Sequence, residues 1–212
     1  MSDVRVTLYR SLAAAAPYLL ELAAHPGPWT FDIESYDAGA FPSRKNVSVD
    51  PHHPDFRVHG VAFATSAKVG AYVFFELLDD CRDLDGDGVD ALRVAFDSDA
   101  EKGAYNGHFD ENGLVYTGWV PRVRNRARDG MLSTIALGDG THENLKLPHV
   151  AKLLLRRETT WEIDKSTMRD QPVEVVADGA VHDACLTHEL CDLLDAWANE
   201  DRRIQWSGLT HA

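Results

Sequence analysis

The sequence predicts a single α/β domain, with a mixed sheet covered by helices, and three observations support this. Short apolar, β-prone runs cluster in the first part of the chain, at 29–35, 57–65 and 68–77. Helical and extended patterns then alternate, an order typical of α/β proteins. No internal repeat or long linker divides the 212 residues, which is an ordinary size for one domain.

The first elements follow from apolar spacing and from prolines. Rough helical spacing of leucines predicts a helix over 7–24, with Pro17 as a kink. We therefore expect an N-terminal helix and lead-in over 1–28 and the domain core over 29–200. A proline-rich stretch at 37–54 predicts a loop, and the two runs that follow it predict a hairpin.

The remaining elements alternate. A helix is predicted over 90–102 and a short buried strand over 104–109, which delivers Asp110. A helix and a basic extended segment follow, then helices that start at Asp129 and Pro148. The closing helix carries an apolar stripe: Leu186, Leu190, Leu193, Leu194 and Trp197. The predicted sheet has five strands.

Composition excludes several classes of protein. The chain is 44% apolar and 26% charged, which is too apolar for disorder. No apolar run approaches the ~20 residues that cross a bilayer, and the amino terminus lacks the pattern of a secretory signal. The three cysteines lack metal-ligand spacing and are predicted to be reduced thiols. We therefore expect a cytoplasmic protein with no membrane partner.

Two carboxylates stand two residues apart in a β-prone run. Asp32 and Glu34 lie in the segment Trp-Thr-Phe-Asp-Ile-Glu-Ser. On a strand, residues two apart point to the same face. Desolvation and mutual repulsion oppose such a pair unless a cation is bound. The segment is therefore a candidate for half of a divalent-metal site.

Three segments of the chain resemble the sequence motifs of one family of enzymes. Phe-Asp-Ile-Glu-Ser resembles the first motif. Tyr-Asn-Gly-His-Phe-Asp at 105–110 resembles the second, with Asn106 four residues before Asp110. His-Asp-Ala-Cys-Leu-Thr at 182–187 stands in the place of the third motif, at a helix start, which assigns Asp183. The three segments resemble the motifs of the DnaQ-like (DEDD) 3′→5′ exonucleases.

Two further stretches resemble connecting segments in the proofreading domains of family A DNA polymerases. They are Asp-Gly-Met-Leu at 129–132 and the run from Leu145 to Leu154. The five segments occur in the family's order and extend from about Val6 to Trp197. The resemblance implies a ribonuclease H-like fold, which the predicted order of elements also matches.

The resemblance also implies a site and a reaction. Four carboxylates would hold two Mg²⁺ or Mn²⁺ ions. Asp32 would bridge both ions, Glu34 and Asp183 would complete the water-activating site, and Asp110 would assist the second ion through water. Asn106 would steady the strand end or contact the substrate. The implied reaction is hydrolysis of single-stranded or frayed DNA 3′ ends to 5′-mononucleotides. Because the chain ends soon after the third motif, we expect a stand-alone enzyme or a proofreading subunit that acts with a separate DNA polymerase.

Two positions shortly before Asp183 depart from the family pattern. Members carry a Tyr four residues before the last Asp, or a His five residues before it, to orient or deprotonate the attacking water. Here those positions are Gly179 and Asp178. Asp178 could act as a base or an extra ligand, or another loop could supply the group. His142, His149 and Tyr116 are the candidates.

Charge leaves two alternatives open. The formal net charge of −13 opposes nucleic-acid binding through phosphates. Four arginines alternate in a basic stretch and would share one face of an extended segment: Arg122, Arg124, Arg126 and Arg128. They form either a solvated edge strand or a ridge that faces phosphates.

A degenerate domain that binds nucleic acid or a replication partner without hydrolysis stays possible, as does an RNA-directed 3′→5′ exoribonuclease.

Other acidic positions have competing interpretations. The segment 83–90 resembles a calcium loop, although its twelfth position is Val94 where a bidentate Glu belongs. The same segment also fits a turn that ends in Asp90 as a helix N-cap. Asp129 is predicted to be an N-cap. A facial triad built on His108 and Asp110 would leave the other acids unexplained.

Overall fold

The structure is a computed structural model, and it describes residues 4–38, 50–75, 86–137, 144–159, 161 and 167–199. The strands in these ranges are β1 Arg5–Tyr9, β2 Trp29–Asp37, β3 Phe56–Ser66, β4 Val69–Phe74, β5 Lys102–Ala104 and β6 Arg126–Asp129. The helices are α1 Leu12–Ala23, α2 Asp87–Asp97, α3 Gly107–Tyr116, α4 Gly130–Leu137, α5 Leu147–Leu154 and α6 Val173–Asn199. A short 3-10 turn, Met168–Asp170, precedes α6.

The strands form one mixed sheet in the order β1-β4-β3-β2-β5-β6. The pairs β4–β3 and β3–β2 are antiparallel, and the pairs β1–β4, β2–β5 and β5–β6 are parallel. Helices flank this sheet, which confirms the predicted α/β class. Among the described residues the sheet has six strands, one more than predicted.

The extra strand comes from the amino terminus, where the predicted helix over 7–24 is wrong in its first part. Arg5–Tyr9 is β1, which pairs with β4, so this segment belongs to the core sheet. Val6 and Leu8 alternate onto the face covered by α6, a period of two that the leucine spacing obscures. The helix begins only after Ser11, whose Oγ accepts a hydrogen bond from the Ala14 N–H at 3.2 Å.

The middle of the chain also differs from expectation. The predicted helix over 90–102 is instead α2, which begins at Asp87, so Asp90 lies in its first turn and is not the N-cap. Lys102 starts β5 and is fully buried. Its ammonium group donates hydrogen bonds to the carbonyls of Ser98 and Ala100, which offsets the cost of burying it. The predicted strand over 104–109 is wrong. Strand β5 ends at Ala104, and residues 107–109 already belong to the first turn of α3.

Two residues at helix N-termini are placed as predicted. The Asp129 carboxylate accepts the N–H groups of Met131 and Leu132, both at 3.1 Å, and so caps α4. Pro148 lies in the first turn of α5. In the calcium-loop hypothesis, residues 83–85 lie outside the described residues.

Two different cores lie on the two faces of the sheet. One face packs aromatic rings under α1 and α2, with Trp29, Phe31 and Phe96 in edge contacts at 5.0–6.1 Å between centroids. The other face is covered by α6 and consists mainly of small side chains such as Ala62 and Ala64. Small residues let α6 approach the sheet closely, so they determine the width of the gap between α6 and β2.

The described cysteines lie in α6. Cys185 and Cys191 are buried free thiols, and burial raises the pKa of each to about 12. Cys81 lies outside the described residues. No helix in the described part of the chain is long and apolar enough to cross a membrane.

Candidate active site

Asp32 and Glu34 lie on the same face of β2. Phe31 and Ile33, which alternate with them, are buried in the aromatic core on the opposite face. The two carboxylates therefore point into the space between the sheet and α6. Glu34 is buried and Asp32 is half-buried.

A tyrosine reaches this pair from two strands away. Asp32 pairs with Ala62 across the ladder, and Ala62 pairs with Tyr72, while Glu34 pairs with Gly60. The Tyr72 ring lies diagonally over Gly60, because a Cβ at that glycine would lie 2.6 Å from the Tyr72 hydroxyl oxygen. Only glycine leaves room for the ring, and the hydroxyl group lies over Gly60, the residue paired with Glu34.

A histidine stands behind this hydroxyl group. Gly60 pairs with Glu34 and Val58 with Ser35, so His59 is the extra residue of a β-bulge. Bulges re-aim side chains, and the His59 Nδ1 atom lies 2.7 Å from the Tyr72 hydroxyl oxygen.

Burial decides the protonation of both groups. It lowers the pKa of His59 to about 4, so the ring is neutral at pH 7. It raises the pKa of Tyr72 well above its usual value, and the negative charges of Glu34 and Asp32 raise it further. The phenol therefore stays protonated beside the two acids.

Asp110 lies against the same strand. It is in the first turn of α3, is 2% exposed, and its Oδ1 accepts the backbone N–H of Ile33 at 3.1 Å. Strand β5 has already ended at this point, so the carboxylate takes the hydrogen bond that a longer β5 would have made. This contact joins Asp110 to the residue between Asp32 and Glu34. His108, the other member of the hypothetical facial triad, is exposed.

Asn106 occupies the N-cap position of α3. Its backbone is left-handed, with φ of 60°, and its side chain is exposed. The N–H groups of Asn106 and Gly107 donate to the Asp129 carboxylate at 3.3 and 2.9 Å. One carboxylate therefore caps α4 and fixes the turn that leads into α3.

Asp183 lies well inside α6, and its predicted place at a helix start is wrong. The next residue, Ala184, accepts a hydrogen bond through its carbonyl from the Thr30 hydroxyl group at 2.8 Å. Thr30 shares the face of β2 that carries Asp32, so Asp183 lies on the same side of the sheet. The Asp183 Oδ1 atom accepts the indole N–H of Trp161 at 2.8 Å.

Comparison with solved structures finds close agreement in fold at low sequence identity. NrnC of Brucella melitensis bound to pGG superposes with a TM-score of 0.64 at 13% identity, over 97% of this chain and 88% of that one. The RRP6 catalytic core from Trypanosoma brucei gives 0.62 at 12% identity, over 96% of this chain and 50% of that one. The POL domain of Pol1 from M. smegmatis gives 0.61 at 17% identity, over 96% of this chain and 29% of that one.

The chain therefore shares the fold of these structures, which agrees with the fold that the motif resemblance implies. The mixed sheet and its flanking helices have the ribonuclease H-like arrangement. Comparison of the sequence with protein-family models and with curated proteins finds no match.

The position at which the family resemblance expects a Tyr is Gly179, which is buried in α6. His182 does not replace it, since its Nδ1 atom lies 2.7 Å from the Asp178 carbonyl oxygen and its ring packs on Trp161. Tyr116 ends α3 with its ring against His52, at 3.9 Å between centroids. His149 is exposed on α5, and His142 lies outside the described residues.

The donor chemistry of the four acids suits Mg²⁺ or Mn²⁺, because both ions prefer carboxylate oxygens. In the ranges that the structure describes, however, no three acidic, histidine or cysteine side chains lie close enough together to hold a metal ion. Asp110 and Asp183 instead accept hydrogen bonds from Ile33 and Trp161. Asp32 and Glu34 are thus a candidate pair of ligands, and a third would come from rotation of a neighbouring acid.

The alternating arginines do not form a ridge on one strand face, because only 126–129 is extended as β6. Each guanidinium group faces carboxylates: Arg122 faces Asp97, Arg124 faces Asp99, Arg126 faces Glu111 and Asp129, and Arg128 faces Asp192 and Asp195. These ion pairs neutralise the stretch locally. Arg122 and Arg124 are solvated, whereas Arg128 is buried, so neither a solvated edge strand nor a phosphate-binding ridge describes all four.

A cavity of about 630 Å³ lies beside α6, near the start of β1 and the β3–β4 turn. Trp161 and His182 line it together with Arg156 and Arg157. Trp161 therefore contacts both this cavity and the Asp183 carboxylate.

Tyr72, His59 and Trp161 were not predicted from the sequence. Nothing local marks them, since Tyr72 and His59 stand in ordinary apolar strands. The glycine at position 60, opposite Glu34, was the available signal, because an interior strand glycine often marks close approach of another group. Reading that signal requires the strand register.

Proposed function

We propose that this chain is a metal-dependent 3′→5′ exonuclease that hydrolyses single-stranded or frayed DNA 3′ ends to 5′-mononucleotides. It acts alone or as a proofreading subunit beside a separate DNA polymerase. The exonuclease fold gives the general framework, and the acids on β2 and α3 give the chemistry.

One arrangement carries this proposal. Asp32 and Glu34 share a face of a buried strand, and Asp110 is hydrogen-bonded to the residue between them. Two acids on a strand with a third beside it are costly without a cation. Carboxylates brought near one another in this way favour a bound cation, which supports a metal-binding role.

Each acid has a part in this hypothesis. Two divalent ions, when bound, supply a nucleophilic water and stabilise the leaving 3′ oxygen of an in-line displacement. Asp32 would hold both ions, Glu34 and Asp183 one of them, and Asp110 would act on the other through water. Asp183 would turn from Trp161 towards the β2 pair to do so. Asn106, exposed at the start of α3, would contact the substrate.

The charge distribution predicts weak binding to nucleic acid. The chain has a net charge of −13, and the arginines that could neutralise phosphates already face carboxylates. Affinity for free DNA in the absence of metal should therefore be low. A terminal nucleotide bound through metal-held phosphate fits this charge balance better than a long duplex does.

The decisive experiment incubates a 5′-labelled single-stranded DNA oligonucleotide with the protein and Mn²⁺ or Mg²⁺. We expect a ladder that shortens from the 3′ end and disappears with EDTA. Asp32→Asn should abolish it, whereas Asp37→Asn, at the end of the same strand, should not. A ladder that Asp32→Asn leaves intact, or wild-type protein that is folded and inert on DNA and RNA, would refute the proposal.

Two alternatives each have a supporting observation. Gly179, in place of a water-orienting Tyr, favours a degenerate domain that binds nucleic acid or a replication partner without cleavage. The likeness to the RRP6 catalytic core and to NrnC bound to pGG favours other substrates, RNA or short oligonucleotides. A matched RNA oligonucleotide and a dinucleotide, run beside the DNA, separate these possibilities.

A further inference from the structure

We propose that Asp129 is a positioning residue, which holds the turn between β5 and α3 and so sets where Asp110 and Asn106 lie. Arg126 and Glu111 support it through a bridge of ion pairs. The inference rests on the proposed function, which gives Asp110 a part in cleavage and Asn106 a contact with the substrate. It goes beyond the α4 cap predicted from the sequence, because the same carboxylate also serves the start of α3.

The Asp129 carboxylate accepts N–H groups from three parts of the structure. Its Oδ1 atom accepts two backbone N–H groups at the start of α4, both at 3.1 Å, and that of Asn106 at 3.3 Å. Its Oδ2 atom accepts the Gly107 N–H at 2.9 Å and the Arg126 Nη1–H at 3.1 Å. Asp129 is 8% exposed, so water competes little for these hydrogen bonds.

This carboxylate takes the place of the usual cap of α3. An Asn at an N-cap position ordinarily accepts a backbone N–H of the first helical turn with its own side chain. The Asn106 side chain makes no such bond and is exposed. Asp129 pairs with Ala104, the last residue of β5, and therefore stands beside the turn and accepts the Gly107 N–H instead. The Asn106 side chain is thereby left to face a substrate.

Arg126 links the same carboxylate to the helical turn that carries Asp110. Its Nη1 atom donates to Asp129, and its Nε atom donates to the Oε2 atom of Glu111, each at 3.1 Å. Glu111 follows Asp110 directly in α3. The Arg126 side chain lies against the turn, since a Cβ at Gly107 would be 2.9 Å from its Nη1 atom. Glycine at that position therefore lets the guanidinium group approach.

These contacts restrain α3 in two ways. The hydrogen bonds to Asp129 fix the position of its first turn, and the bridge from Arg126 to Glu111 opposes rotation of the helix about its axis. The Asp110 Oδ1 atom accepts the Ile33 N–H at 3.1 Å from this same turn. A hydrogen bond weakens steeply once its length or angle departs from the normal range. A small movement of α3 would therefore release Asp110 from β2.

The first test is Asp129→Ser. A serine hydroxyl group can still cap α4, but it has one oxygen on a shorter side chain and cannot also accept the N–H groups of Asn106 and Gly107. We expect a folded protein in which the Ile33 amide exchanges its hydrogen about tenfold faster, followed by NMR, while other β2 amides keep their wild-type rates. The kcat for cleavage of labelled DNA with Mn²⁺ should fall about 10–100-fold.

A matched pair of arginine variants keeps the inference testable if Asp129→Ser is poorly folded. Arg126→Met and Arg122→Met each remove one positive charge and one guanidinium group that pairs with a carboxylate. Arg126 pairs with carboxylates beside the start of α3, whereas Arg122 pairs with Asp97 at the end of α2. Arg126→Met should accelerate exchange at Ile33 and lower kcat, and Arg122→Met should do neither. Equal effects of the two variants would overturn the inference.

The outcomes separate this inference from the proposed function. Hydrogen exchange needs no substrate, so folded wild-type protein that cleaves no nucleic acid would refute the exonuclease, while exchange at Ile33 would still decide whether Asp129 positions Asp110. Wild-type exchange at Ile33 and wild-type kcat in Asp129→Ser would overturn the inference and leave the exonuclease intact. Faster exchange at all β2 amides together would also overturn it, because that pattern reports a general loss of stability.

Discussion

The Oδ1 atom of Asp110 accepts the backbone N–H of Ile33 at 3.1 Å, so an acid of helix α3 continues the hydrogen bonding of a sheet strand. This contact places a third carboxylate beside the pair on β2. The Asp110 side chain therefore has a structural part and, in our proposal, a catalytic part, and substitutions can separate them.

Asp110→Asn keeps a carbonyl oxygen that can accept the Ile33 N–H but loses the charge. We expect it to fold with nearly wild-type thermal stability while cleavage falls about 100-fold or more. Asp110→Ala should lose activity and also about 1–3 kcal/mol of unfolding free energy, because it leaves a buried N–H without its acceptor. Equal stability losses in the two variants, measured by urea denaturation, would contradict the structural part.

His59 should make the metal-free protein sensitive to acid. In the unfolded chain this histidine binds a proton below its ordinary pKa of 6.5, but in the folded protein only below about 4. The unfolded state therefore binds more protons in this window, and unfolding free energy should fall as the pH drops from 6.5 to 4. The His59 contribution is about 3 kcal/mol at most. His59→Asn should show a shallower dependence, and identical curves for the two proteins would contradict the burial effect.

Gly60 should tolerate no side chain. A Cβ there would lie 2.5 Å from the Val73 carbonyl oxygen and 2.6 Å from the Tyr72 hydroxyl oxygen. Gly60→Ala should therefore lower unfolding free energy by about 1–3 kcal/mol and displace the Tyr72 ring from its place over Gly60. Gly27→Ala is the control, since its Cβ would meet its nearest neighbour at an ordinary 3.5 Å. Denaturant midpoints that shift equally in both variants would refute the specific clash.

The exposed arginines should matter little for substrate binding. Arg122 and Arg124 lie 2.6 and 2.8 Å from the carboxylates of Asp97 and Asp99. In the double variant Arg122→Ser and Arg124→Ser, KM for a DNA oligonucleotide should change less than about twofold, because exposed arginines paired in this way contribute little. A large rise in KM with a weaker dependence on salt would instead identify these residues as phosphate contacts.

The sequence by itself determined the α/β class, the carboxylate pair and several helix ends. Alternation along β2 put Asp32 and Glu34 on one face, since a strand repeats every two residues. The Asp129 cap was also predictable, because such caps act within three residues along the chain. These features depend on neighbours in sequence, and local chemistry is enough to fix them.

Tertiary structure decided the rest. Residues 7–9 were predicted as helix because Leu8 continues the leucine spacing of the following helix, whereas pairing with β4 makes Arg5–Tyr9 a strand. Asp183 was expected at a helix start but lies inside α6. The Trp161 indole N–H donates to its carboxylate, and the Thr30 hydroxyl group donates to the carbonyl of the next residue. The Tyr72 hydroxyl group lies over Gly60 and meets His59 only through the register of the strands and one bulge. Register and packing join residues far apart in the chain, and the pattern of a single segment does not encode such contacts.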